Sequence, residues 1–244
     1  MSDDAKDERA VNAALRMIGT GRPDPNPVSA DYLRERAARE RAQVRAWAED
    51  RAIARREASL GCIPGTFRGL SFDDMAELGS RCSDARALTA AYGAVGHLLC
   101  GAVPAVVLIG AAGAGKTSLA AAIARAVIES GQLLVGWTDA YSLSRAYRDA
   151  RMGSEPEAIT RAKRIGLLVL DELGSEAQGR DVVRELVHER HANGRPTVVT
   201  TWLGSGDEQD RKEACMAAVR EMYGDGTARR LFERGLLIEI GGAG

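Results

Sequence analysis

Residues 110–117 read Gly-Ala-Ala-Gly-Ala-Gly-Lys-Thr and stand between an apolar run, 103–109, and an alanine-rich stretch, 118–128. Strand, glycine-rich turn and helix in that order make a phosphate-binding loop. Such a loop needs glycines so that consecutive backbone N–H groups turn inward around a phosphate. It also needs a lysine to reach the β and γ oxygens and a hydroxyl to ligate magnesium. Gly110, Gly113, Gly115, Lys116 and Thr117 supply these parts, and Ala111, Ala112, Ala114 and Ser118 complete the expected contact with the nucleotide. A glycine turn at a strand end, the bland alternative, needs no lysine. Lys116 is one of only four lysines in a chain whose basic residues are otherwise arginine. The expected ligands are ATP and Mg2+.

At 244 residues, with 45% hydrophobic and 27% charged residues, the chain has the composition of one globular domain plus an extension. A formal net charge of −1 argues against a diffuse electrostatic grip on nucleic acid, so such a contact must come from a local basic patch. Cys62, Cys82, Cys100 and Cys215 are widely spaced, without a Cys-x-x-Cys pair or histidines at zinc-ligand spacing, and read as reduced thiols. No run approaches the roughly 18 to 20 apolar residues that span a bilayer, and the acidic start, residues 1–8, has the wrong sign for a secretory signal. The expected location is the cytoplasm, with no membrane partner.

Residues 1–20 suit a short helix with Val11, Ala14, Leu15 and Ile18 on one face, and the alternating prolines of 21–27 favour an extended linker. From Ser29, an N-cap residue, to Leu60 the chain is dense in Arg, Glu and Ala without Gly or Pro until its end, which predicts one long charged helix. Leu33, Ala37, Val44, Trp47, Ala54 and Ala58 give it a thin apolar stripe, open to reading as a docking surface or as a face folded back on its own domain. Eight arginines among residues 34–56 interleave with six acidic residues between 31 and 57, which points to an ion-pair lattice rather than a phosphate track. After Gly61 apolar runs alternate with amphipathic stretches. Strands are expected near 105–110, 133–137, 166–170, 197–201 and 236–240, giving a three-layer α/β domain with ligands at the carboxyl ends of its strands.

The run Leu-Leu-Val-Leu-Asp-Glu, residues 167–172, is an apolar strand ending in two carboxylates. Asp171 is placed to hold the metal; Glu172, one residue on and expected in extended chain, points elsewhere and suits a general base for water. A water-activating base favours an ATPase over a kinase. Thr200 and Thr201 end the next strand and could sense the γ-phosphate, or be ordinary β-formers. Residues 223–232, Tyr-Gly-Asp-Gly-Thr-Ala-Arg-Arg-Leu-Phe, open a short helix whose arginines either pair locally or project into the nucleotide of a neighbouring copy, a role that demands an oligomer. Tyr141, Arg145, Tyr147, Arg148 and Arg151 mix aromatic and basic side chains, as single-strand grips do; a partly buried amphipathic helix is the alternative. His188 and His191 lack a third ligand at matching spacing and predict no metal.

Together these residues resemble the DnaC/IstB-like group of AAA+ ATPases, the bacterial helicase loaders and insertion-sequence helper ATPases. The resemblance covers about residues 61–241 and rests on the phosphate loop, the stretch Leu-Asp-Glu-Leu-Gly ending at Gly174, the run 189–201 and the closing Tyr-Gly-Asp-Gly…Arg-Arg-Leu. It implies a P-loop NTPase of the AAA+/ASCE type with a five-stranded parallel sheet, a minimal or absent C-terminal lid and a helical N-terminal extension. Residues 61–244 would be the ATPase domain, and 1–60 the arm, linker and charged helix. It makes Lys116, Glu172 and Arg230 the catalytic set, with Arg229 as fallback finger, Thr117 and Asp171 the metal ligands, and Ile63, Pro64 and Phe67 neighbours of the adenine. It implies a homo-oligomer completing its sites in trans, contact with single-stranded DNA, and a hexameric helicase or a transposase bound through residues 1–60. Trp202 stands where the group carries a sensor asparagine. A small-molecule phosphotransferase and a non-hydrolysing ATP-switch adaptor are the readings from other classes.

Overall fold

The computed structural model describes residues 29–78, 84–150, 154–205 and 211–241. The expected arm helix over 1–20, the linker 21–27, Cys82 and Arg151 lie outside them. The chain divides into two compact units, one through Arg51 and one from Ala52 onward.

Helix α1, Ala30–Cys62, is the long charged helix, and Ser29 caps it by accepting the Tyr32 N–H at 3.1 Å. Within its first unit, Arg34–Asp31, Arg36–Glu40 and Arg39–Glu35 pair at helical spacing, and the Arg51 guanidinium lies 4.6 Å from the Trp47 ring centre. Each ion pair is exposed, so solvent screens it and its contribution to stability is small.

The larger unit is built on five parallel strands: β1 (Ala105–Ile109), β2 (Val135–Asp139), β3 (Leu167–Leu173), β4 (Thr197–Thr201) and β5 (Leu236–Glu239). Their order across the sheet is β2-β3-β4-β1-β5, so β4 lies between the loop-bearing β1 and the acid-bearing β3. Helices α2 (Phe72–Leu78), α3 (Ala85–Leu99), α4 (Lys116–Ser130), α5 (Ala140–Asp149), α6 (Glu157–Arg164), α7 (Arg180–Ala192), α8 (Arg211–Tyr223) and α9 (Asp225–Phe232) complete the described elements. Because side chains alternate along a strand, β1 sends Val106 and Leu108 to a core shared with Ala94, Leu98, Leu119 and Ile123. Ala105, Val107 and Ile109 go to a second core with Leu143, Leu186, Leu231 and Phe232. Both faces of the sheet are therefore covered, as a parallel sheet of Val, Leu and Ile requires.

Two strands depart from the expectation by more than one residue. β2 starts at Val135 rather than at 133, where the outward N–H and C=O of Val135 meet the Ser59 Oγ and Cys62 Sγ of α1 at 3.4 Å each. β3 runs on to Leu173 instead of ending at 170, with a register shift against β4 between Leu170 and Leu173. That bulge falls on Asp171 and Glu172, the two residues whose aim matters most.

Candidate nucleotide site

β1 ends at Ile109 and the chain turns at once through Gly110, where an added Cβ would stand 2.7 Å from the Ile240 carbonyl oxygen. Gly113 (φ 78°) and Gly115 (φ 95°) are left-handed, and Gly115 begins α4 without a side-chain cap. The first-turn N–H groups of α4 therefore face the loop rather than a capping oxygen, which suits an anion. Ala111 and Ala112 form the exposed crest of the loop, Ala114 is half-buried and Ser118 is buried at the helix start. The Lys116 ammonium donates to the carbonyls of Gly110 at 2.8 Å and Ala111 at 2.7 Å, which holds it over the loop. Burial pushes its pKa down, while the nearby Asp171 and Glu172 pull it back up.

Across from the loop, Asp171 is 7% exposed and accepts a hydrogen bond from the Thr117 hydroxyl at 3.3 Å. A hydroxyl and a carboxylate converging from α4 and β3 are the donor set of a magnesium nucleotide, so the residues fit that metal. Burial raises the Asp171 carboxyl above its ordinary range, against the hydrogen bonds from Thr200 and Thr117. Among the described residues no group of three His, Cys, Asp or Glu side chains could hold a metal ion, His188 and His191 included.

Glu172 is not in extended chain. With φ 54° it is the one left-handed residue other than glycine among the described residues. Such a backbone costs on the order of 1–3 kcal/mol and persists only where its surroundings fix it. Here its N–H donates to the Thr200 Oγ at 2.9 Å, and the following Leu173 carbonyl accepts from the Thr201 hydroxyl at 2.8 Å. The bulge thus turns the Glu172 side chain out to solvent at the pocket, in place of the sideways aim that strand alternation predicts.

The two threonines are therefore occupied. Thr200 also donates to Asp171, and the Thr201 oxygen accepts the Leu203 N–H at 3.1 Å. The loop, Glu172 and the two threonines line one cavity of about 500 Å³, with Phe67, Ser175 and the half-exposed Trp202 completing its wall.

Residues 101–210 match the family described as IstB-like ATP binding protein. The matched segment holds the phosphate loop, Asp171 and Glu172, and it is similar to the ATP-binding domains of that family. The fold of the larger unit is also similar to that of solved structures. The DnaC helicase loader is 23% identical with a TM-score of 0.55, the match covering 64% of this chain and 88% of that one. A putative primosome component from Streptococcus pyogenes is 19% identical with a TM-score of 0.55, covering 74% and 90%. A replication initiator DnaA bound to AMPPCP and single-stranded DNA is 17% identical with a TM-score of 0.53, covering 73% and 50%. No curated protein matches the chain significantly.

The candidate finger arginines lie outside the nucleotide cavity. On α9, Arg229 pairs with Glu233 at 2.7 Å, whereas the half-buried Arg230 donates to the Gly226 carbonyl at 2.6 Å, one turn back. His191 faces Arg230 and Arg234, and burial together with those two cations pushes its pKa down. On α5, Tyr141, Arg145, Tyr147 and Arg148 are exposed while Leu143 is buried, so one helix presents both a packed stripe and an aromatic-basic face.

Sequence reading missed what supports the acid pair. Ser175 lines the cavity, and Glu176, buried to 2% exposure, accepts the Gly174 N–H at 3.3 Å and the hydroxyl of Tyr223. A polar run after an apolar strand reads as a surface turn, and nothing in its composition marks one glutamate as internal.

Proposed function

We propose that the protein is an ATPase that works in assemblies of its own copies. The observation that supports this reading best is the pairing across the cavity: Thr117 and Asp171 meet on one side of the phosphate loop while Glu172, held left-handed, faces the same space. In this reading the loop N–H groups and Lys116 bind the β and γ phosphates, and Thr117 and Asp171 hold the metal. Magnesium, when bound, neutralises charge on those oxygens. Glu172 takes the proton of the attacking water. Arg230 of a neighbouring copy stabilises the charge that develops at the phosphoryl group.

Similarity to the DnaC helicase loader supports the first reading of the partner, in which the protein loads a replicative helicase in the cytoplasm and docks it through residues 1–60. Single-stranded DNA would meet the exposed aromatic and basic side chains of α5. A transposase helper is the second reading, favoured by the IstB-like match. Co-purification with a hexameric helicase or with a transposase separates them.

The chemistry is tested by Glu172→Gln. Loss of phosphate release by at least about a hundredfold, with ATP still bound, is expected for removal of the base. Turnover at the wild-type rate would end the assignment.

A further inference from the structure

We propose that Glu176 and Tyr223 are a positioning pair that sets the geometry of Glu172 and ties it to α9, the helix that carries Arg230. The inference rests on the ATPase reading for its consequence in turnover, but the pairing itself stands on buried contacts.

Glu176 and Tyr223 are each 2% exposed, and the Tyr223 hydroxyl donates to one Glu176 oxygen while the other accepts the Gly174 N–H at 3.3 Å. A carboxyl group so deeply buried is costly unless its oxygens are bonded, and packing alone would be served by an apolar side chain. Its contacts therefore point to a positional task. Gly174 has φ 103°, and a Cβ there would meet Leu203 Cγ at 3.1 Å, so only glycine fits the tight course the chain takes after Glu172.

The path is short at both ends. On one side, Gly174 lies two residues after Glu172, whose N–H and following carbonyl are already fixed by Thr200 and Thr201. Glu176 fixes the next amide, so the backbone is held on both sides of the left-handed residue. On the other side, Tyr223 ends α8, its carbonyl accepts the Thr227 hydroxyl at 3.1 Å, and Gly224 (φ 86°) turns the chain into α9. The water-activating side of one site and the arginine offered to the next copy thus share one buried link.

The test uses the full chain and three variants: Tyr223→Phe, Glu176→Ala and Glu176→Gln. Tyr223→Phe and Glu176→Ala should each lower kcat for ATP about tenfold or more, with KM and the affinity for a non-hydrolysable ATP analogue within about twofold. Amide exchange at Gly174 and Ser175 should quicken in both. Glu176→Gln should retain kcat within about threefold, since its amide can still accept from Gly174 and donate to Tyr223. Three results would overturn the pair. One is a Tyr223→Phe protein that melts earlier but keeps both kcat and the exchange rates. Another is unchanged exchange in Glu176→Ala. The third is a Glu176→Gln protein as slow as Glu176→Ala. A wild-type protein that released no phosphate would defeat the ATPase reading instead, and the exchange rates would still decide the pair.

Discussion

Thr200, at the tip of β4, donates its hydroxyl proton to the Asp171 carboxylate on the neighbouring strand, and the same oxygen accepts the Glu172 N–H at 2.9 Å. A residue that could have read the γ-phosphate instead braces both acids. Thr200→Val keeps the shape and removes both bonds, and a buried acceptor without its donor costs about 1–3 kcal/mol. We expect ATP turnover to fall about 10- to 100-fold and the magnesium needed for half-maximal rate to rise, while Thr200→Ser keeps both near wild type. Steady-state turnover over a magnesium titration reads the difference, and a fully active Thr200→Val would remove the brace from the account.

The acid pair also sets a pH dependence. Burial raises the Asp171 carboxyl above its ordinary value, so between the two values the folded chain holds a proton that the unfolded chain has lost. Stability from this group is fully present below the ordinary carboxylate pKa and is lost as pH rises through the raised folded value. Asp171→Asn abolishes that loss. Its melting temperature without nucleotide should exceed wild type at pH 7, and the gain should shrink toward pH 4. Melting curves across that range test it, and a variant less stable than wild type at pH 7 would contradict the sign.

Much of this site is legible in the sequence because its chemistry is local. The phosphate loop needs eight consecutive residues, and the aim of Lys116 and Thr117 follows from the helix they begin. The five strands are likewise readable from runs of Val, Leu, Ile and Thr. The aim of Glu172 is not legible because its conformation is imposed from outside its own strand: β-alternation predicts an extended residue, whereas the bonds from Thr200 and Thr201 and the register shift against β4 hold it left-handed. Glu176 and Tyr223 are 47 positions apart, and no periodicity connects them.

Arg190 illustrates the same limit in the core. Its charge near the end of α7 suggests a solvated residue, yet it is fully buried and donates to the carbonyls of Ala162 (2.7 Å), Ile165 (2.8 Å), Gly166 (3.0 Å) and Pro196 (2.6 Å) and to the Thr197 hydroxyl (3.0 Å). It thereby clamps the starts of β3 and β4. Arg190→Met removes all of these donors, and although the Pro196 carbonyl keeps the Leu168 N–H, each acceptor left unbonded costs roughly 1–3 kcal/mol, a total that rivals the roughly 5–15 kcal/mol stability of a whole domain. We expect that variant to fail to fold, and Arg190→Lys, which keeps a charge but loses the planar fork, to fold with a clearly lower urea midpoint. A normal midpoint for Arg190→Met would show that the clamp contributes little.

The two arginines of α9 make opposite predictions because their surroundings differ. Arg229 is held by Glu233 at 2.7 Å and lies 3.9 Å from Asp225, so moving it to a neighbouring copy would break exposed ion pairs. Arg230 would give up its bond to the Gly226 carbonyl, and no ion pair holds it among the described residues. If Arg230 acts in trans, Arg230→Ala should bind ATP normally and lose about 10³-fold in turnover, the scale of an absent arginine finger, while Arg229→Ala should stay within a few-fold. Complementation is the decisive measurement. Arg230→Ala keeps an intact cradle and Lys116→Ala keeps an intact finger, so mixing two inactive proteins should restore turnover in assemblies where a finger of the second meets a cradle of the first. Recovery that rises with total protein concentration supports action between copies. Mixtures that stay inactive although the two variants co-assemble would place the function of Arg230 within its own chain.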